Sequence, residues 1–165
     1  MQFGFSEMSE ADARAVAAWR YEGEYAVYNQ HPGDGEAIAG VLDRRSPHYA
    51  ARDEHGALVG FFAFGTSAEV EDVGVPSHYG ADQTITVGLG LRPDLTGQRL
   101  GLNFVNAGLD YARQAFHPRA FRLFVLRFNE RAIRVYERAG FQRVRELHVR
   151  NVHGENTFLE MCREA

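Results

Sequence analysis

The chain is expected to form a single mixed α/β domain, and three observations lead there. Stretches whose apolar residues alternate with period two take turns along it with stretches of period 3.6. Its 165 residues, 45% of them hydrophobic, suffice for one core of ordinary size. No repeat, low-complexity run or linker divides it, so the expected domain is 1–165.

The elements follow in order. FGFSEM is short and alternating, hence a first strand. Ser9 then caps a helix running through Ala15, Val16, Ala18 and Trp19, with Asp12 three residues after the cap. YEGEYAVYNQHPGDG is aromatic, acidic and glycine-rich, a loop or broken helix, and EAIAGVLDRR is a second helix. HYAARD and ALVGFFAFG, separated by EHG, read as a hairpin. A loop holding Glu69, Glu71, Asp72 and Pro76 leads to the strand TITVGLGL. After Gly101, Leu102, Val105, Leu109, Ala112 and Phe116 recur at steps of three and four, giving a helix one apolar face. FRLFVL is a strand, and NERAIRVYERAG a helix closed by Gly140. FQRVRELHVR and ENTFLEMCR, joined by NVHG, end the chain as a hairpin.

Composition narrows the function. The single cysteine, Cys162, has no partner for an internal disulfide or a metal cluster. No secretory leader pattern and no run of membrane-spanning length is visible, so the expected setting is cytoplasmic, away from membranes. All 18 basic residues are arginine. Residues 1–91 hold 5 arginines against 14 carboxylates, whereas residues 92–145 hold 11 against 4. An acidic half and a basic half suit different partners, although chance segregation of surface charge gives the same counts. The basic segment lies within periodic structure and lacks a basic tail, which disfavours nucleic acid.

The most informative stretch is LRPDLTGQRLG at 91–101. A strand, a glycine turn and a helix N-terminus gather unpaired N–H groups and the positive end of a helix dipole, which together attract an anion. Gly97 permits positive φ, and Gly101 admits a bulky anion to the first helical turn. The turn lacks Gly-Lys-Ser/Thr, and Gly88 and Gly90 do not extend into G-x-G-x-x-G, so neither nucleotide fingerprint is present. Glycines at alternate positions of TITVGLGL either offer the main chain to an extended ligand or make room for a bulky aromatic neighbour.

LRPDLTGQRLGLNFV followed by NERAIRVYERAGF resembles the GNAT superfamily of acyl-CoA-dependent N-acyltransferases. The resemblance is sharpest from Ile85 to Phe141. Leu91, Arg92 and Pro93 fit the end of the family's strand, and Thr96 to Gly101 sit on its Arg/Gln-x-x-Gly-x-Gly/Ala turn. Thr96 stands where that pattern has Arg or Gln, and Arg99 where it has Gly; Arg99 therefore needs either a right-handed backbone or a strained one. Asn129, Ala132, Tyr136, Gly140 and Phe141 fit Asn-x-x-Ala-x-x-x-Tyr-x-x-x-Gly-Phe, with Ala132, Tyr136 and Gly140 on one helix face.

The resemblance implies a mixed, mostly antiparallel sheet of about six or seven strands, about four flanking helices, and a splayed parallel strand pair holding the cofactor. It divides the domain into substrate-side elements and the cofactor strand (1–91), then the pyrophosphate turn, two helices and a hairpin (92–165). It places the pyrophosphate of acetyl-CoA on Thr96, Gly97, Gln98, Arg99, Leu100, Gly101 and Leu102. The pantetheine falls to Leu89, Gly90 and Leu91, with Asn129 touching it, and Arg92, Arg99, Arg127 and Arg131 of the basic segment are near enough in sequence to help hold a polyanionic cofactor. Tyr136, seconded by Asn129, becomes the general acid for the departing thiolate, and a primary amine attacks the thioester directly, with no metal. An alkylamine with a pKa of about 10.4 is only ~0.04% neutral at pH 7, so a base or water relay is expected. At the position where some members carry a glutamate this chain has Phe124, which leaves Glu71, Asp72, His78 and Asp82 as candidates. Trp19, Tyr21, Glu24 and Tyr28 form the expected acceptor wall, or else an aromatic cluster closing the core. Dimers are common among the proteins this chain resembles. Two rivals stand beside the enzyme: an acyl-CoA-binding sensor without turnover, and an unrelated α/β binding domain with a helix-terminal anion site.

Overall fold

A computed structural model of the chain describes residues 1–30, 35–43, 46–70, 83–151 and 154–165. Seven strands form a mixed sheet: β1 (Gly4–Glu7), β2 (His48–Arg52), β3 (Leu58–Phe64), β4 (Thr84–Leu91), β5 (Ala120–Leu126), β6 (Gln142–Asn151) and β7 (Gly154–Glu164). Their order is β1-β2-β3-β4-β5-β7-β6. Among the described residues four α-helices accompany them: α1 (Glu10–Ala17), α2 (Gly35–Val41), α3 (Gly101–Phe116) and α4 (Glu130–Arg138). The segment read as a loop or broken helix contains a 3₁₀ turn, Gly23–Tyr28. Glu71, Asp72, Pro76, His78 and Asp82, and the tip of the last hairpin, lie outside the described residues.

The chain folds as two compact units, Met1–Ala63 with Leu89–Gly101, and Phe64–Gly88 with Leu102–Ala165. In the first, β1, β2 and β3 pair antiparallel, Gly4 opposite Arg52 and His48 opposite Ala63. Ser9 caps α1 as expected, its hydroxyl accepting from the Asp12 N–H at 3.2 Å while Asp12 accepts from the Ser9 N–H at 3.2 Å. Asp12 also accepts from Arg52 at 2.5 Å, so one carboxylate ties the helix start to β2. Burial pushes the Asp12 carboxyl up, but the bonds from Ser9 and Arg52 together outweigh it and hold it below its ordinary value. Met8, Ala13, Val16 and Ile38 form this unit's small helical core.

In the second unit β4 and β5 run parallel, pairing Thr84, Ile85 and Thr86 with Ala120, Phe121 and Arg122. A parallel pair needs a crossover, and α3 supplies it. The buried stripe of α3 is Phe104, Val105, Gly108, Leu109 and Ala112. The expected face is there, but it is centred nearer Phe104 and Gly108, and Leu102 and Phe116 are its half-buried margins. β5 pairs along its whole length with β7, which pairs with β6; a bulge at Arg143/Arg145 turns Val144 outward.

Candidate functional site

The turn after β4 is built by donors that satisfy its own carbonyls. The Arg92 N–H bonds the Val59 carbonyl at 2.8 Å, and the Arg92 guanidinium reaches the Leu58 carbonyl at 2.9 Å. Pro93–Leu95 forms a 3₁₀ turn, which suits proline at its first position. The Leu95 N–H takes the Arg92 carbonyl at 2.9 Å, and the Thr96 N–H and hydroxyl take that of Pro93 at 3.1 and 2.8 Å. Gln98 Nε2 donates to the Asp94 carbonyl at 2.7 Å. Gly97 sits at φ 78° and Arg99 at φ 62°, so Arg99 holds the strained, left-handed backbone that glycine takes at no steric cost. Thr96 and Leu100 are half-buried, Gln98 and Arg99 are exposed, and Gly101 opens α3 with Leu102 next in the chain.

Arg92, expected to help with phosphate, is engaged elsewhere. It grips Asp94 at 2.7 Å, and that hydrogen bond raises the Arg92 pKa and lowers that of Asp94. Arg127 is likewise bound to Glu130 at 2.5 Å and Glu146 at 2.8 Å. Both guanidinium groups thus hold carboxylate partners. Arg131 is exposed on α4.

On the same unit as the turn, Leu89, Gly90 and Leu91 are half-buried at the end of β4. Gly90 has a structural reason to be glycine: a Cβ there would come within 2.3 Å of Phe61 Cε1. The aromatic neighbour considered as one explanation of the glycine is therefore real. Trp19 packs on the same Phe61, ring centroids 6.2 Å apart, and joins the helical core, so it closes that core. The Tyr21 hydroxyl donates to the Leu91 carbonyl at 2.8 Å, and its ring meets Tyr28 edge-on at 6.2 Å. Tyr28 and Glu24 are exposed on the 3₁₀ turn.

The second unit carries Asn129 and Tyr136. Asn129 is buried and caps α4, its side-chain oxygen accepting from the Ala132 N–H at 3.1 Å. Eleven residues after Asn129, Gly140 at φ 90° closes the far end of α4. The Gly140 N–H bonds the Glu137 carbonyl and the Phe141 N–H that of Tyr136, both at 3.0 Å, a Schellman arrangement. The apolar contact that accompanies such a motif is here Tyr136 against Phe141, centroids 6.1 Å apart. Arg163 on β7 adds a bond to the Ala139 carbonyl and lies over the Phe141 ring. The Asn, Gly and Phe of the sequence run thus fix both ends of the helix that carries the tyrosine.

Sequence spacing missed a buried polar group on this unit. Arg122 on β5 donates to the Thr86 hydroxyl at 2.9 Å and to Glu69 at 3.1 Å, and it lies over the Phe124 ring. Phe124 stands opposite Glu160 on β7, whose buried carboxylate accepts from Arg145 at 2.6 Å. Partners 36 and 53 residues apart leave no local signal; a lone arginine inside the apolar strand FRLFVL was the only hint.

A strand, a turn and a helix following in this order, with a second, capped helix later in the chain, define a class. Residues 2–142 match the family described as acetyltransferase (GNAT) domain, and the chain belongs to that family. The mycothiol acetyltransferase of Propionibacterium freudenreichii subsp. shermanii is 32% identical over 125 residues, covering 71% of this chain and 37% of that protein. The chain therefore spans little more than a third of that relative's length. Among solved structures, a putative phosphinothricin N-acetyltransferase superposes with a TM-score of 0.72 at 19% identity, over 99% of this chain and 98% of that one. Mutant forms of the spermidine/spermine N-acetyltransferase SpeG from Vibrio cholerae give 0.71 at 14% identity, over 99% and 95%. At such identities these structures establish the fold, a GNAT-like α/β domain with the parallel pair β4–β5. Among the described residues no helix is long and apolar enough to cross a membrane.

Proposed function

We propose that the chain is a single acyltransferase domain, 1–165, that moves an acetyl group from acetyl-CoA to a primary amine by direct attack. The observation that carries this reading is the turn Arg92–Gly101. Its carbonyls at Arg92, Pro93 and Asp94 are satisfied internally, and Gly97 and Arg99 both hold left-handed backbone just before a sixteen-residue helix. The Leu95 and Thr96 amides are spent on those carbonyls, so the anion falls to the amides from Gly97 onward, and the α3 dipole adds to the attraction.

Each residue then has a task. The main chain of Gly97 to Leu102 binds the pyrophosphate, with Thr96 holding the start of that run, and the exposed Arg99 guanidinium adds a charge beside it. Leu89, Gly90 and Leu91 present main chain to the pantetheine arm. Asn129 and Arg131 flank that arm, Asn129 also holding the start of α4. Tyr136, its helix fixed at both ends, gives its phenolic proton to sulfur as the C–S bond breaks; the new C–N bond forms from the amine, whose surplus proton leaves to solvent or a base. The acceptor meets the exposed Glu24 and Tyr28 and the ring of Tyr21. Trp19 supports that segment from the core.

The test is an acetyl-transfer assay on the purified chain, following CoA release and the mass of the acceptor. Spermidine, spermine and phosphinothricin, named among the relatives, head the panel, followed by amino-terminal peptides and amino sugars. Acetylation of any amine that depends on Tyr136 supports the reading. Acetyl-CoA binding without transfer to any of them would instead mark a binding domain without turnover.

A further inference from the structure

Two contacts converge on the last residues of β4, and both come from the segment expected to meet the acceptor or from its support. Phe61, on which Trp19 packs, covers Gly90 so closely that a Cβ there would force the Phe61 ring to move. One residue on, the Tyr21 hydroxyl donates to the Leu91 carbonyl at 2.8 Å. In an antiparallel pair alternate residues address the neighbouring strand. The Arg92 N–H addresses β3 through Val59, so the Leu91 carbonyl lies on the opposite edge of β4, where a phenol takes the place of a strand partner. Tyr21 is itself held at both main-chain groups by one side chain. Its N–H donates to Asn29 Oδ1 at 2.7 Å, and Asn29 Nδ2 donates back to its carbonyl at 3.1 Å. The Asn29 N–H in turn closes the 3₁₀ turn on Ala26 at 3.0 Å.

We propose that Tyr21 is a positioning residue that couples the acyl-donor site to the acceptor-side segment 19–29. The inference rests on the turn after Leu91 being the acyl-CoA site. The Leu91–Arg92 peptide is the last link before that turn, so a ligand that orders the turn also orders the carbonyl on which Tyr21 is anchored. Through Asn29 the same order reaches the 3₁₀ turn carrying Glu24 and Tyr28. The coupling is reciprocal by linkage: a donor that firms the strand end readies the acceptor wall, and an acceptor held by that wall tightens the donor. It also assigns the Leu91 carbonyl to Tyr21, leaving the other main-chain groups of Leu89 and Leu91 to the pantetheine arm.

The experiment needs no acceptor. Acetyl-CoA binding is first measured by calorimetry for the wild type, Tyr21→Phe and Asn29→Ala, and amide hydrogen exchange over residues 19–29 is then followed with and without saturating acetyl-CoA. Tyr21→Phe keeps the ring against Tyr28 and removes one oxygen; Asn29→Ala tests the same link from its other end if the first variant folds poorly. In the wild type, acetyl-CoA is expected to slow exchange over 19–29 by roughly fivefold, the worth of about one hydrogen bond. Both variants should bind acetyl-CoA within about threefold of the wild type and lose most of that slowing, because only a neutral hydrogen bond has gone. Equal slowing in the variants, or none in a wild type that binds, overturns the coupling and leaves the acyl-CoA site standing. Failure of the wild type to bind acetyl-CoA overturns both, and the calorimetry alone reveals it.

Discussion

The turn after β4 and the helix α4 keep their candidate site residues in opposite ways. In the turn the useful groups are main-chain N–H groups, and the side chains of Arg92, Thr96 and Gln98 are spent on its own or neighbouring carbonyls. In α4 the useful groups are side chains, and the main chain is spent on holding them: a cap at Asn129, a Schellman closure at Gly140, and Phe141 against the tyrosine ring. This difference explains which part of the family's pattern has drifted. A main-chain site tolerates a change of side chain so long as φ is kept, and Arg99 keeps the glycine conformation at φ 62°. A side-chain site tolerates no such change, and the Asn, Ala, Tyr, Gly and Phe of α4 all stand in place. On the proposed reading, the departure at Arg99 is a local energetic cost rather than a lost site.

Substitutions at four positions would break or sharpen that contrast. Gly101→Glu has the largest expected effect, weakening acetyl-CoA by roughly 10²–10³-fold in calorimetry, since a carboxylate a few Å from a pyrophosphate repels it strongly. A glutamate in the first turn of α3 suits the helix dipole, so the fold should persist; unchanged affinity would move the anion elsewhere. Tyr136→Phe should lower turnover by about 10²-fold and leave acetyl-CoA affinity nearly untouched, because the ring contact with Phe141 survives. Turnover at the wild-type rate would remove Tyr136 from the chemistry.

Asn129→Ala should cost about 1 kcal/mol in chemical denaturation, the worth of a helix cap. Asn129→Asp should keep the cap; if it keeps activity too, Asn129 acts through the helix rather than on the pantetheine. The smallest effect belongs to Arg99→Gly. Relief of the left-handed strain should add about 0.5–1 kcal/mol of stability. Loss of one exposed charge should weaken acetyl-CoA only a few-fold. A gain in stability with no loss of affinity would leave the turn a purely main-chain site.

Most of the fold was legible because its signals are local. The Ser9–Asp12 capping box, the strand TITVGLGL, the apolar stripe of α3 and the terminal Gly140 each rest on residues within a few positions of one another. The site was legible as motif positions but not as contacts. That Gly90 lies under Phe61, that Tyr21 holds Leu91, and that Arg122 joins Thr86 to Glu69 are facts of tertiary packing, set by pairs up to 70 residues apart. Arg92 and Arg127 were read only by proximity in sequence to a phosphate turn, and the pairing of their guanidinium groups with Asp94, Glu130 and Glu146 was not visible there. Charge counts over whole segments cannot see such local pairing.

The central claim is that the turn Arg92–Gly101 binds acyl-CoA through its main chain despite Arg99. Calorimetric titration of the purified chain with acetyl-CoA, with free CoA and ATP as controls, tests it most directly. Saturable micromolar binding of acetyl-CoA and CoA, with ATP far weaker, is the predicted result. Absence of acetyl-CoA binding, or equal binding of ATP, would contradict it.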